Sequence, residues 1–232
     1  EVNKRVQVAI ISTGNELVEP GFGVELKGGQ IFNSNQPMLA ALLSKLGCDI
    51  VRSHIIEDTF AATHMALKSK ADSVDLIISS GGVSVGEADH VKAAVEDLGE
   101  LQMWKVNMKP GKPVVYGHVE NTPFLGLPGN PVSALVTFLL FAVPLIQKLQ
   151  GRNVKAPLSF FVPALFTITS PRSRPEYMRV NIGERGAEKF VNQSSGVLRS
   201  VAWANALALV PAEKCLNEGD LIEVFPLELL TE

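Results

Sequence analysis

Between Asp75 and Asp89 the sequence reads Asp-Leu-Ile-Ile-Ser-Ser-Gly-Gly-Val-Ser-Val-Gly-Glu-Ala-Asp, and no other stretch limits the fold as strongly. An apolar run of buried-strand length breaks into small residues, and a helical pattern resumes at Ala88. The segment therefore predicts a strand, a loop and a helix start. Gly81, Gly82 and Gly86 permit close backbone approach, and Ser79, Ser80 and Ser84 add hydroxyl donors, so the loop suits an anion. Open α/β sheets bind phosphate-bearing ligands at such a place, the carboxyl end of a parallel strand facing a helix N-terminus. An ordinary glycine-serine connection is the other reading, and the neighbouring segments decide between them.

The same alternation runs through residues 5–150. Residues 6–11 are apolar and largely β-branched, a buried strand delivering the polar loop Ser12-Thr13-Gly14-Asn15-Glu16. After a glycine-rich loop over residues 21–29, Ser34 caps a helix whose Met38, Leu39, Leu42, Leu43 and Leu46 follow the 3.6 period; Gly47 stops it. Residues 49–56 read as a strand, and Asp58 or Thr59 caps a helix through Lys70. Residues 89–98 are helical, Gly99 ends that helix, and residues 101–108 read as a strand. Lys109-Pro110-Gly111-Lys112-Pro113 is a turn, residues 114–116 resume β character, and residues 124–127 are a last short strand. Pro128-Gly129-Asn130-Pro131 then opens an apolar helix, with Asn130 as cap and Pro131 at its first position, a second anion-binding helix start. This order predicts an α/β domain over residues 1–150, a three-layer, mostly parallel sheet covered on both faces. Beyond Gly151, prolines punctuate short β-like runs with one helical piece near residues 198–206, so residues 151–232 predict a second, smaller all-β domain.

Composition limits the partners. The formal charge is −3, from 21 basic and 24 acidic residues, so no global basic field favours nucleic acid or an anionic membrane, and any anion site must be local. The two cysteines, Cys48 and Cys215, are too few and too far apart for a disulfide framework, which points to a reducing cytoplasm. Residues 134–146 are the most apolar stretch but fall short of a bilayer span, so they read as a buried helix. The chain begins Glu-Val-Asn-Lys-Arg, without an initiator Met, and is expected to be a piece of a longer protein.

Several polar groups carry two readings. Asp89 either caps its helix, which spacing alone favours, or holds Mg²⁺ beside phosphates; Asp58 divides the same way. Glu16, in a loop with no cap to fill, is a site carboxylate or a solvated one. All three follow different strands of one predicted sheet and would emerge on its carboxyl edge. Lys105, Lys109 and Lys112 are either a solvated strand end or, the preferred reading, ammonium groups for phosphate or another tetrahedral oxyanion. Arg172, Arg174, Arg179, Arg185 and Arg199 read as a solvated face rather than a groove for an acidic partner. The histidines show no paired metal-ligand spacing.

Ser12-Thr13-Gly14-Asn15-Glu16-Leu17, the stretch from Ser79 to Asp89, the stretch from Trp104 to Pro113, and Gly126-Leu127-Pro128-Gly129-Asn130-Pro131-Val132-Ser133-Ala134 resemble, in order and spacing, the molybdopterin molybdenumtransferases. These are the MoeA proteins and the gephyrin E domain, whose α/β domain is MogA-like. The tail is similar too, through Ser194-Ser195-Gly196-Val197-Leu198 and the stretch from Ala202 to Val210. The resemblance implies molybdenum cofactor biosynthesis: adenylylated molybdopterin is bound, its adenylate is cleaved with Mg²⁺, and molybdate is inserted into the dithiolene. It implies catalytic roles for Asp58, Asp89, Lys105 and Lys109 and metal binding by Glu16 and Asp89. It places the substrate on Thr13, Gly14, Glu16, Ser80, Gly81, Gly82, Ser84, Lys112, Pro128, Gly129, Asn130 and Ser133. A homodimer in the full-length protein and a molybdopterin adenylyltransferase partner follow from the same likeness. Asn15 departs from the family's expected aspartate. Further N-terminal domains, one of which completes the site across the dimer, have no counterpart here. A pterin-binding or scaffold module without turnover is the alternative, and adenylylation of molybdopterin, as in MogA, is a third reading that the added β domain opposes.

Overall fold

The computed structural model describes residues 4–52, 54–83 and 90–231. In chain order its elements are β1 (Gln7–Ser12), β2 (Leu17–Val18), β3 (Ile31–Phe32), α1 (Asn35–Lys45), β4 (Asp49–Arg52), α2 (Phe60–Lys70), β5 (Leu76–Ser80), α3 (His90–Leu98), β6 (Gly99–Trp104), β7 (Val115–Val119) and β8 (Thr122–Leu127). Then follow α4 (Pro131–Thr137), a π-helical turn (Phe138–Ala142), α5 (Val143–Leu149), β9 (Phe160–Pro163), β10 (Glu176–Gly183), β11 (Gly186–Lys189), α6 (Arg199–Trp203), β12 (Ala206–Val210) and β13 (Leu221–Pro226).

The first sheet has the order β4-β1-β5-β8-β7-β6. β4, β1, β5 and β8 run parallel, while β7 is antiparallel to both of its neighbours, β8 and β6. Side chains alternate between two cores, which is why the strands are apolar throughout instead of alternating. On one face Val8, Ile10, Leu76, Ile78 and Leu125 pack with Leu39 and Leu43 of α1 and with Val132, Val136 and Phe138. On the other, Ala9, Ile11, Ile77 and Phe124 meet Leu67 of α2 and Val91 and Val95 of α3. The result is a three-layer α/β fold, as the sequence predicts.

The apolar helix is longer than expected, spanning Pro131–Leu149 with mean hydropathy 1.9. By length and composition it is enough to cross a membrane, yet 61% of it is buried inside the protein, so it serves as a core helix. Pro144, which has no N–H for the Leu140 carbonyl, sits just past the π-helical turn. Other boundaries also shift. β6 begins at Gly99 and stops at Trp104, because Lys105 adopts a left-handed backbone (φ 76°) that cannot continue a strand. Ser34 occupies the cap position of α1 without a side-chain cap bond, whereas the Thr59 hydroxyl accepts from the Ala62 N–H at 3.3 Å and caps α2.

The second sheet is five-stranded and antiparallel, in the order β11-β10-β12-β13-β9. Met178, Val180, Ala206, Ala208, Ile222 and Val224 form its own core. Its other face joins the first body through Leu207 and the C-terminal Leu230, buried with the α1 and α4 side of the α/β core, and through Tyr177 and Phe225 packed against it. A backbone seam fixes the junction: Lys109 N–H donates to the Pro175 carbonyl (2.9 Å), and Tyr177 N–H donates to the Lys109 carbonyl (2.7 Å).

Candidate functional site

Parallel strands deliver their carboxyl ends to one edge. Register pairs Ser12 with Ser80 and Ser80 with Leu127, so the loops after β1, β5 and β8 leave side by side. Thr13 extends the edge by bridging to Ile56, beyond β4. The loops touch. A Cβ on Gly81 (φ 90°) would lie 2.5 Å from the Thr13 carbonyl oxygen, and one on Gly82 (φ 68°) would lie 2.7 Å from Thr13 Oγ1 and 2.4 Å from Val91. Only glycine fits either place, on both space and backbone angle.

A cavity of about 370 Å³ opens on this edge, lined by Thr13, Gly14, Glu16, Asn35, Asp58, Ser80, Gly81, Gly82, Pro113, Pro128, Gly129 and Asn130, among others. Asn35, the first residue of α1, ties the wall together. Its Nδ2 donates to Ser80 Oγ and to the Gly129 carbonyl, both at 2.7 Å, across 45 and 94 residues of sequence. The Glu16 carboxylate folds back over Gly14, within 2.9 Å of where a Cβ would stand there. Asn15 Oδ1 accepts from the Asp58 N–H at 3.2 Å, joining the two acidic loops. Oδ1 of Asp58, Oδ1 of Asn35 and Oγ1 of Thr13 are buried without a hydrogen-bond partner among the described residues.

Pro113 also lines a second cavity, of about 510 Å³, at the junction of the two sheets. Lys109, Lys112, Ser133, Arg172, Arg174, Glu176 and the run Gln193-Ser194-Ser195 form its walls. Its charge is predominantly positive. Glu176, at the start of β10 and 1% exposed, pairs with Lys109 Nζ at 3.2 Å and with Arg172 Nη1. Arg174 Nη1 donates to the Met108 carbonyl at 3.1 Å. Arg179, also 1% exposed, braces the 192–195 wall by donating from Nε to Ser200 Oγ and from Nη2 to the Ser194 carbonyl, both at 3.0 Å. Burial lowers the Arg179 pKa, and the charge of Glu176 pushes it back up.

Residues 9–148, more than half the chain, match the family model described as a probable molybdopterin binding domain, and residues 162–227 match the MoeA C-terminal region (domain IV). The chain belongs to the molybdopterin-binding family of that first model and carries a MoeA C-terminal region beside it. It is 37% identical over 230 residues to a molybdopterin molybdenumtransferase of Haemophilus influenzae, covering 96% of this chain and 56% of the relative. With the molybdenum cofactor synthesis protein cinnamon of Drosophila melanogaster it shares 39% identity, covering 97% of this chain and 38% of that protein. Among solved structures, the molybdopterin biosynthesis MoeA protein of Pyrococcus horikosii superposes with a TM-score of 0.82 at 30% identity, covering 96% of this chain and 54% of that one. The chain thus spans about half the length, or less, of the relatives it matches.

For this family member the structure gathers Thr13, Gly14, Glu16, Asp58, Ser80, Gly81, Gly82, Pro128, Gly129 and Asn130 around the first cavity, and Lys109, Lys112 and Ser133 around the second. Asp89 and Ser84 lie outside the described residues. Lys105, exposed and with a left-handed backbone (φ 76°), is not among the residues lining either cavity. Sequence reasoning passed over Asn35 and Glu176. It also placed the C-terminal arginines on a solvated face, whereas Arg179 is buried and Arg172 and Arg174 line a cavity wall. Arg172 and Glu176 stand four residues apart, but a bend over residues 173–174, not a helix, closes their ion pair, so the spacing gave no signal of it.

Proposed function

We propose that the protein acts in molybdenum cofactor biosynthesis: water cleaves the phosphoanhydride of adenylylated molybdopterin to release AMP, and the two dithiolene sulfurs bind molybdenum from molybdate, an oxo group leaving as water with the two thiol protons. One observation carries the reading: a glycine-lined cavity with carboxylates shares the wall residue Pro113 with a cavity lined by Lys109, Lys112, Arg172 and Arg174. The first suits a phosphorylated pterin joined to a nucleotide, with Gly81, Gly82 and Gly129 allowing backbone approach to the phosphates. The second suits a tetrahedral dianion, because ammonium and guanidinium groups bind oxyanions by charge-assisted hydrogen bonds. Adjacent sites would hold the pterin dithiolene and the oxyanion near each other, and positioning of this kind is a large share of catalysis.

Mg²⁺ fits the first cavity. Magnesium prefers oxygen donors and commonly uses one or two carboxylates plus substrate phosphates. Glu16 and Asp58 line that wall, and Asp58 Oδ1 is a buried oxygen without a partner among the described residues. Among those residues no group of three potential ligands gathers, so phosphate oxygens would complete the set, with Asp89 the further candidate from sequence. When bound, the ion neutralises charge on the phosphates. The residues then divide the work: Gly81, Gly82 and Asn130 hold the phosphate end, Ser80 and Asn35 fix the loops, and Lys109 and Lys112 hold the oxyanion beside it. Because the substrate arrives adenylylated, an adenylyl-transferring enzyme must act first, and we propose it as a partner. A homodimer in the full-length protein, a cytoplasmic location and a division into an α/β domain over residues 1–150 and a small β domain over residues 151–232 complete the proposal. Two unpaired cysteines support the location, and the second sheet's own core supports the division.

The test is turnover by the full-length protein. With Mg²⁺ and molybdate it should release AMP and load molybdenum onto the pterin, and Asp58→Ala should abolish AMP release while the protein stays folded. Wild-type release by Asp58→Ala would remove that carboxylate from the mechanism. Tight pterin binding without adenylate cleavage would make the protein a binding module.

A further inference from the structure

Glu176 is out of place in a pocket for anions. A carboxylate repels a dianion, and burying one is costly unless its charge is matched. Here it is 1% exposed, while the side chains of its partners Lys109 and Arg172 are 41% and 39% exposed. Among the described residues, its two buried carboxylate oxygens make these two ion pairs, and its charge also acts on buried Arg179, which lines neither cavity. The partners come from opposite sides of the junction, Lys109 from the loop after β6 and Arg172 from the approach to β10. Lys109 is already fixed by its backbone, bridged to Glu176 and hydrogen-bonded to Pro175 and Tyr177. The carboxylate then fixes its ammonium group.

Each cation keeps donors beyond the one it gives to Glu176, since an ammonium has three and a guanidinium five. Long cationic side chains lose rotamer freedom when they bind an anion, and holding them in place beforehand removes that cost from binding. Resting on the oxyanion reading of this pocket, we propose that Glu176 is its positioning residue. It presents Lys109 and Arg172 together to a tetrahedral dianion and strengthens binding despite its own negative charge.

Positioning and simple counter-charge predict opposite signs. As a counter-charge, Glu176 weakens anion binding: Glu176→Gln would tighten it, and Glu176→Asp, which keeps the charge, would leave it unchanged. As a positioning group, both substitutions weaken it, the first by freeing the cations and the second by withdrawing the carboxylate by one methylene. The experiment is calorimetric titration of the protein with molybdate at fixed ionic strength, on wild type, Glu176→Gln, Glu176→Asp and Lys112→Ala, with thermal melts to confirm folding. Affinity should fall at least about tenfold in either Glu176 variant, the scale of a lost hydrogen bond to a charged group. If Glu176→Gln does not fold, Glu176→Asp decides by itself. Binding equal to or tighter than wild type in the folded Glu176 variants, with Lys112→Ala impaired, overturns the positioning role and leaves the oxyanion pocket standing. Wild-type affinity in Lys112→Ala, or no molybdate uptake by the wild type, overturns the pocket assignment itself.

Discussion

Replacing Gly81 by alanine tests whether the loops after β1 and β5 meet as described. Two costs add. At φ 90° an L side chain is strained, which costs about 1–2 kcal/mol. The new Cβ would also stand 2.5 Å from the Thr13 carbonyl oxygen, a backbone atom that can yield only if the β1 loop moves. Overpacking of this kind costs about 1–3 kcal/mol. Together Gly81→Ala should destabilise the protein by about 2–5 kcal/mol, lowering Tm by roughly 4–20 °C in a chain of this size. Gly28→Ala is the control, since nothing lies within 4 Å of the place its new methyl would take. It should stay within about 0.5 kcal/mol of wild type. Thermal melts followed by circular dichroism measure both, and AMP titration of Gly81→Ala at a temperature where it is folded measures the site. A Gly81→Ala protein with wild-type Tm and wild-type AMP affinity would refute the contact between these loops.

Asn35→Ala removes two hydrogen bonds that tie α1 to the Ser80 and Gly129 loops, so it should cost about 1–3 kcal/mol by chemical denaturation and weaken pterin binding more than molybdate binding. Burial, helped by the nearby Asp49 carboxylate, pushes the Cys48 thiol up from 9.0 to about 11. The folded state holds this proton more tightly, so the associated stability is complete below pH 9 and is lost as pH rises towards 11. Iodoacetamide at pH 8 should accordingly label exposed Cys215 and spare buried Cys48 until the protein unfolds, as peptide mapping would show.

The first sheet was legible because its signals are local. Continuous apolar runs such as Leu76-Ile77-Ile78 need two covered faces, and those of β1, β5 and β8 lead within a few residues to glycine or proline where a loop begins. Parallel order then brings Thr13, Gly81 and Gly129 to one edge without further information. The second cavity was not legible in the same way. Glu176 and Lys109 are 67 residues apart, and nothing in either neighbourhood announces that one will be buried and the other will cover it. Arg179 reads as a surface cation until its Ser194 and Ser200 partners are in view. Asn35 was hidden behind Ser34, an equally good capping residue one place earlier, although the bonds that matter at that helix start run to other loops. Asn15 reads as a lost charge, yet it performs a task its side-chain oxygen suffices for, accepting from the Asp58 N–H.

The most direct test is a crystal structure of the protein with AMP and molybdate, using anomalous scattering at the molybdenum edge. Adjoining sites are expected, with the nucleotide phosphate against Gly81, Gly82 and Asn130 and a single anomalous peak within hydrogen-bonding reach of Lys109, Lys112 and Arg172, on the other side of Pro113. Phosphate and molybdenum on separate faces of the molecule, or a molybdenum peak away from those cations, would contradict the account.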